Sequence, residues 1–553
     1  MIRALVLAGG PQLEAMVPWL EYLDGTGEVK AEVVGDPSAI HDLRDVDVLV
    51  AHPPEGPLEP EAESRICDFL QRGGGLLALH CTSLSWSAGS GLRGVLGGVA
   101  GRLPMSELVV DVEREDHDIT RRLGGSFAVE DSGYPGSPGG APAEVLLSTT
   151  WRSERQPLAF VRAAGAGRVF HFGLGESRQT YSLPSVQGLL YRGLRHAAGR
   201  PEPGAVGVGL LGYGAIGAEH VRSVAEVPGL ELRAVCDRSE DRVASARMQA
   251  PEAVVVSDLD QLLEVPEVDL VVISTPPNTH AQMALRVLES GRHVVVEKPL
   301  CLSVAEGERL LAAAAASPGT LTVYQNRRWD PDFLALEAAV RSGKLGEVFH
   351  VEAFVGGFEH PCHLWHSDAS ISGGVIFDWG SHYLDWILQL IPGEVVEVSA
   401  TRQKLVWHDV TNDDHFQLRM RFASGTDAEF THSDIAAARK PKWYVLGTRG
   451  AALGLWREET LLRPAPVGVV EAPIPVSDLP CELHLLRPGP AGRSHDERLA
   501  LPPSPPHAFY RNLAGHLLAR EPLAVTASSA FRNIAVMEAA TRAAREGPQR
   551  VRI

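Results

Sequence analysis

Two successive α/β domains followed by an α+β domain are the fold class this sequence predicts, and three observations predict it. Short apolar, β-branched runs alternate with helical segments over the first two hundred residues, as in a doubly wound, flavodoxin-like sheet. The same alternation restarts after a Pro/Gly-rich joint, Gly199 to Gly204, with a glycine fingerprint at its first turn. From about Glu347 onward the pattern changes to strands without intervening helices, which implies a mostly antiparallel sheet. A chain of 553 residues is too long for one core. The expected domains are 1–199, 205–326 and 327–553, with the last helices returning to the middle domain.

In the first domain, Arg3 to Leu7, Ala31 to Val34 and Val46 to His52 read as strands. Ile66 to Arg72 continues as a helix into Gly73-Gly74-Gly75, where glycine can take the left-handed conformation that ends helices. Leu76 to His80 is a further buried strand, ending in His80-Cys81-Thr82-Ser83. Ligands of doubly wound domains gather at the carboxyl ends of strands, so His80, Cys81, His117, Glu130 and Asp131 are the polar candidates for a site. Cys81 has the competing role of a small buried residue, and His117, in Asp116-His117-Asp118, that of a turn residue.

The second domain opens with the strand Val206 to Leu211 and the turn Gly212-Tyr213-Gly214-Ala215-Ile216-Gly217. Each glycine has a physical task in dinucleotide binding: Gly212 makes the tight turn, Gly214 admits a pyrophosphate, and Gly217 lets the helix approach the strand. The helix N-terminus offers unpaired N–H groups to phosphate. A second strand, Leu230 to Cys236, ends on Asp237, placed to accept hydrogen bonds from a ribose diol; this favours NAD, while Arg238 beside it leaves NADP possible. Ala253 to Val256 and Asp269 to Thr275 continue the sheet. The loop after Ile273 places Thr275, Pro276, Asn278 and His280 over the cofactor. His293 to Pro299 then ends a buried strand on Glu297-Lys298, setting a cation at the carboxyl edge where nicotinamide and substrate meet.

In the third domain Asp378, His382 and Asp385 recur at helical spacing on one face, behind Gly373-Gly374. An imidazole and a carboxylate so placed suit acid–base work, the alternative being a solvated polar stripe. The run His360-Pro-Cys362-His363-Leu-Trp365-His366 fits no standard zinc spacing, and no metal is expected. Val348 to Val355, Phe416 to Phe422 and Ala428 to His432 read as strands, and residues 457–505 yield no motif.

A net charge of −18 argues against a nucleic-acid partner. No stretch approaches the roughly 20 apolar residues a membrane span needs. MIRALVLAGG reads as a strand and turn rather than a signal peptide, and six scattered cysteines suit a reducing, cytoplasmic setting.

RGGGLLALHCTS, DHDITRRLGGSFAVEDSGY and AGAGRVFHFGLGES resemble the ThuA-like, or trehalose-utilisation, domain over residues 1–198. That resemblance implies a fold related to class I glutamine amidotransferases, with His80 near their nucleophile position. Without a downstream His–Glu pair, amidohydrolase-type chemistry from Cys81 is the lesser reading. Where the family pattern has Gly-His, this chain has Gly175-Glu176. GYGAIG, STPPNTHAQMAL, the EKP motif, SGKLGEV and SGGVIFDWGSHYLDW resemble the Gfo/Idh/MocA oxidoreductases from Val206 onward. The resemblance implies Lys298, Asp378 and His382 as the groups that handle an alcohol during NAD(P)-dependent oxidation of a sugar, glycoside or polyol. It also implies a homo-oligomer built through the C-terminal sheet, and an N-terminal domain that acts on the keto-sugar. A cofactor-bound regulatory protein is the non-enzymatic rival. Where that family often has Trp-Arg, this chain has Trp365-His366.

Overall fold

The computed structural model describes residues 1–553 apart from 38–39, 41–42, 53–57, 83–90, 100, 124, 138–141, 201–204, 363, 465–468, 474–475, 490–492 and 552. Ser83, His363 and most of the expected joint, 201–204, therefore lie outside the described residues. The chain packs as two compact units. One holds 1–206, 226–230 and 505–523; the other holds 207–225, 231–504 and 524–553.

The first unit is built on a nine-stranded sheet. Its order is Val29–Val34, Ile2–Ala8, Val48–His52, Gly75–Leu79, Gly167–Phe172, Glu154–Ala164, Glu144–Trp151, Leu103–Val112 and Ser126–Gly133. The first five strands are parallel, and the last four join antiparallel. Successive residues of Ile2–Ala8 point to opposite faces: Ala4 and Val6 enter one apolar cluster, Leu5 and Leu7 another. Both faces are covered, which is why the parallel strands read as continuous apolar runs. In the antiparallel half Leu103–Val112 mixes buried and exposed positions, whereas Leu158 to Arg162 is buried throughout.

The helix Ala508–Ala519 clusters with the first unit, which also takes in residues 226–230 of the expected dinucleotide domain. Tyr191 donates its hydroxyl to the Ala519 carbonyl at 2.8 Å. Just beyond the helix, Glu521 is buried and accepts from Arg192 at 2.6 Å and Arg122 at 3.4 Å. Gly188 and Gly515 leave room for that carboxylate: a Cβ at either would lie within 2.9 Å of it. A buried carboxylate needs such partners, and the partners stand on the first unit.

The second unit contains a six-stranded parallel sheet ordered Val254–Val256, Leu230–Cys236, Val206–Leu211, Leu270–Ile273, His293–Val296 and Leu321–Val323. This is the Rossmann order, reversing between the first and fourth strands in sequence. Its other large sheet has nine strands, centred on Val348–Gly356, which pairs parallel with Asp427–Ser433 and antiparallel with Trp443–Gly447. All its other pairings are antiparallel. The closing helix Ala527–Glu546 packs against Val395–Gln403 and Leu321–Val323, spanning the two large sheets of this unit; a further two-stranded sheet pairs Thr460–Pro464 with Val469–Pro473.

Candidate active site

The glycine turn divides its tasks as its three positions require. Gly212 has φ 99°, and a Cβ there would meet the Ser274 carbonyl at 2.6 Å. At Gly217 a Cβ would lie 2.3 Å from the Gly212 carbonyl, so only glycine lets the helix Ala215–Glu226 start this close to its strand. Around Gly214 nothing lies within 4 Å of such a Cβ. An open surface at the helix start is the cradle a pyrophosphate needs, so these residues fit a dinucleotide. Ala215 and Ile216 are exposed beside it. Asp237, buried at the end of the next strand, accepts from the Tyr213 N–H at 2.7 Å and the Ser239 N–H at 2.8 Å. Arg242 lies 3.5 Å from it, and Arg238 is exposed.

Across the sheet edge, the Thr275 and Thr279 hydroxyls are 2.7 Å apart, and Asn278 is exposed. His280 is fully buried, with its ring nitrogens 2.7 Å from the carbonyls of Thr275 and Pro299. It braces the two loops from behind, and burial lowers its pKa. The Glu297 carboxylate faces His220 at 3.0 Å and accepts from the Lys298 N–H at 2.9 Å, which fixes the strand end.

Lys298 Nζ lies 2.6 Å from Asp378 Oδ1. Burial opposes the charge on Asp378, but the Lys298 ammonium outweighs it and holds the carboxyl below its ordinary pKa. Helices Val375–Asp378 and Gly380–Leu390 meet at Trp379, and His382 is buried on the second of them. Burial, reinforced by Lys298 and Arg327, pushes the His382 pKa well below 6.5, so the ring is neutral near pH 7. Its Nδ1 has no partner among the described residues.

Asp385 does not join this group. It is buried in a bidentate pair with Arg328, at 2.7 and 2.6 Å, and Arg328 also donates to the Ser529 hydroxyl at 3.2 Å. Its helical face coincides with that of Asp378 and His382, but its charge is neutralised by a residue more than fifty positions earlier. Two further histidines stand close enough to feel Asp378: His366, at the position where the family often has arginine, and His432, which carries no motif. His366 stacks on Trp365 with ring centroids 3.7 Å apart. His432 is buried, with its pKa pushed down to about 4 by burial. Asp434 lies 3.5 Å from it, its own pKa pushed up to about 7 by burial and by Asp414 and Asp378. The sequence signals for His366 were the histidine run and the Trp365-His366 departure from the family's Trp-Arg. That run disperses: His360 turns to Asp409 at 2.9 Å, and Cys362 lies 3.9 Å from the Ser367 hydroxyl.

In the first unit the candidates separate. His80 is buried at the end of Gly75–Leu79, with Cys81 buried next to it. Asp131 is fully buried, accepting from the N–H groups of Gly175, Glu176 and Ser177 and from the Thr180 hydroxyl, so it shapes the loop carrying Glu176. Glu130, its neighbour in the strand, faces the opposite way and is exposed. His117 caps a turn by accepting from the Ile119 N–H at 3.2 Å, and its ring lies 5.3 Å from that of His196.

Comparison with known proteins supplies the lineage. An oxidoreductase-family model for an NAD-binding Rossmann fold matches residues 206–325, and a GFO/IDH/MocA C-terminal domain model matches 333–453. An uncharacterised oxidoreductase of Escherichia coli, YdgJ, is 32% identical over 247 residues, covering 44% of this chain and 69% of the relative. The chain belongs to the Gfo/Idh/MocA oxidoreductase family. Its N-terminal part, residues 3–197, matches the trehalose utilisation model, ThuA. The scyllo-inositol 2-dehydrogenase (NADP(+)) IolW of Bacillus subtilis is 28% identical, covering 48% of this chain and 74% of that one. A crystal structure of an NAD-binding protein from Listeria innocua superposes with a TM-score of 0.53 at 26% identity, covering 62% of this chain and 96% of that one. This Gfo/Idh/MocA chain thus carries an NAD-binding Rossmann fold behind a ThuA domain. Among the described residues, no helix is long and apolar enough to cross a membrane.

Proposed function

We propose that this chain is an NAD(P)-dependent dehydrogenase acting on a secondary hydroxyl of a sugar, glycoside or polyol. The observation that carries the reading is the Lys298–Asp378 pair at 2.6 Å beside a buried, neutral His382, all at the carboxyl edge of the cofactor sheet. Bound NAD supplies the hydride acceptor. His382 takes the hydroxyl proton, for which a neutral imidazole has a free lone pair. Lys298 holds the substrate oxygen and stabilises the charge that grows there. Asp378 fixes the ammonium and offers its second oxygen to a neighbouring hydroxyl. Gly212, Tyr213, Gly214, Ala215, Ile216 and Gly217 bind the pyrophosphate, and Asp237 the adenosine ribose. Thr275, Pro276 and Asn278 line the nicotinamide side, while His280 and Glu297 act from behind as positioning residues.

The relatives support a small polyhydroxylated substrate, since IolW is named for an inositol. The chain works as three domains, 1–199, 205–326 and 327–553, in the cytoplasm, and the ketone formed passes to the ThuA domain. Exposed Phe349, Tyr444 and Leu455 on the C-terminal sheet provide the surface for a homo-oligomer. Absorbance change of NAD(H) and NADP(H), measured with the purified chain against a panel of glycosides, inositols and other polyols, tests the reading. Turnover with at least one is expected; none with any, in either direction, would leave only a binding role.

A further inference from the structure

The carboxyl edge of the first unit's sheet carries a second constellation. His52 ends Val48–His52 and His80 follows Gly75–Leu79, two adjacent parallel strands, with ring centroids 5.5 Å apart. His80 has φ 50°, a left-handed conformation that a residue with a β-carbon holds only when its surroundings impose it. Such strain gathers at functional sites. His52 is 1% exposed, and its Nε2 lies 3.0 Å from the Gly175 carbonyl, which can only accept. Nε2 therefore carries the hydrogen, and Nδ1 is left as a buried lone pair without a partner among the described residues. The fully buried Tyr181 hydroxyl is likewise without a partner there.

Facing these rings is Glu176, at the position where the ThuA pattern has histidine. It accepts from Arg102 at 2.9 and 3.1 Å and from the buried Ser132 hydroxyl, and it stands 3.8 Å from His80 Nε2. Its side chain is 39% exposed, so a solute can reach it. We propose that this edge is a second catalytic site, in which Glu176 removes a proton from the carbon beside a sugar ketone while His80 hydrogen-bonds the ketone oxygen.

The chemistry balances without a cofactor. The C–H electron pair becomes the carbon–carbon double bond of an enolate, and the carbonyl π pair moves to oxygen. Glu176 carries the proton, exchanges it with solvent and returns a proton to the same face of the carbon. Exchange follows, with nothing oxidised or reduced. Burial opposes the charge on Glu176, but bonds from Ser132 and Arg102 outweigh it and keep the carboxylate ionised. A base held so low is weak, so the carbonyl must be polarised. Burial and the neighbouring His52 push the His80 pKa down to about 3, which keeps the ring neutral and able to donate N–H to oxygen. Arg102, the cation nearest the carboxylate, adds a field that favours the enolate. The choice of a sugar ketone rests on the dehydrogenase reading; the enolisation itself does not.

The test uses the full chain in D2O without nicotinamide, so hydride chemistry cannot contribute. Dihydroxyacetone and methyl α-glucopyranoside oxidised to the ketone at one ring carbon serve as probes, and NMR follows deuterium entering beside the carbonyl. Exchange above the buffer rate is expected with at least one probe. Loss of about 10²-fold or more is expected in Glu176→Gln, as removal of a positioned base typically gives. His80→Gln is expected to slow exchange, and Glu130→Gln, exposed on a neighbouring strand, to leave it unchanged. Thermal melting establishes that the variants fold. Exchange without sugar oxidation would sink the dehydrogenase reading and keep this one. No exchange by the parent chain, or undiminished exchange in folded Glu176→Gln, would overturn it.

Discussion

In the second unit Asp378 meets a lysine 2.6 Å away through one oxygen, whereas in the first unit Glu176 meets one nitrogen of Arg102 through both oxygens. Each site also holds a buried neutral histidine: His382, which feels Lys298, and His80, 3.8 Å from Glu176. The difference lies in the cation. A lysine ammonium is a point charge on a flexible stem and can turn from Asp378 to a substrate oxygen. Arg102 meets both oxygens of Glu176 with one guanidinium nitrogen, a charge-assisted contact that keeps the carboxylate ionised. The first arrangement suits stabilising charge on an alcohol oxygen; the second suits presenting a carboxylate edge to a carbon-bound hydrogen.

The comparison breaks most readily at the cofactor turn. Gly214→Val fills the one open glycine of the fingerprint and is expected to abolish NAD binding, read by fluorescence titration, while deuterium exchange in the first unit continues. Lys298→Ala is expected to lower hydride-transfer turnover by about 10²–10⁴-fold with NAD affinity nearly intact, checked by steady-state kinetics beside the same titration. Next comes Glu521→Ala, which strands two buried arginines, Arg122 and Arg192. Destabilisation of about 3–5 kcal/mol in urea denaturation is expected. For the same reason a chain lacking residues 1–199 exposes the helix Ala508–Ala519 and is expected to be less soluble than the whole.

The pH response is smaller and has a definite sign. His382, His80, His432, His171 and His196 all have depressed pKa values in the folded chain. The unfolded chain binds those protons first, so their contribution to stability is complete above about pH 6.5 and is lost as pH falls toward about 4. Asp434, with its pKa raised to about 7, works in the opposite sense: its contribution is lost as pH rises through that value. Melting from pH 8 to pH 4 checks both, and Asp434→Asn should raise the midpoint above pH 7. Smallest is Asp237→Ala, expected to shift the NAD/NADP preference toward NADP by about tenfold in kcat/KM.

The fold classes and the cofactor turn were legible because they rest on local rules. The glycines at 212, 214 and 217 recur at a fixed short spacing that a strand–turn–helix unit imposes, and continuous apolar runs mark strands covered on both faces. Leu103–Val112, in the antiparallel half of the first sheet, gave no comparable signal, since a half-exposed strand resembles a loop. What escaped depended on distant charges. Asp385 shares a face with His382, and only Arg328, 57 residues earlier, takes it out of the site. The Ala508–Ala519 helix was assigned by its likeness to closing helices, but its place follows from Arg192, 329 residues before Glu521. Glu176 looked like a defect in a pattern until Arg102 and His80 were seen beside it.

The most direct measurement of the central claim is single-turnover hydride transfer in His382→Ala, with NAD affinity titrated in parallel and a sugar the parent chain oxidises. The expected result is transfer slowed by about 10²–10⁴-fold with NAD affinity within a few fold of the parent. Parent-rate transfer in that variant would remove His382 from the mechanism and, with it, the chemistry assigned to the Lys298–Asp378 edge.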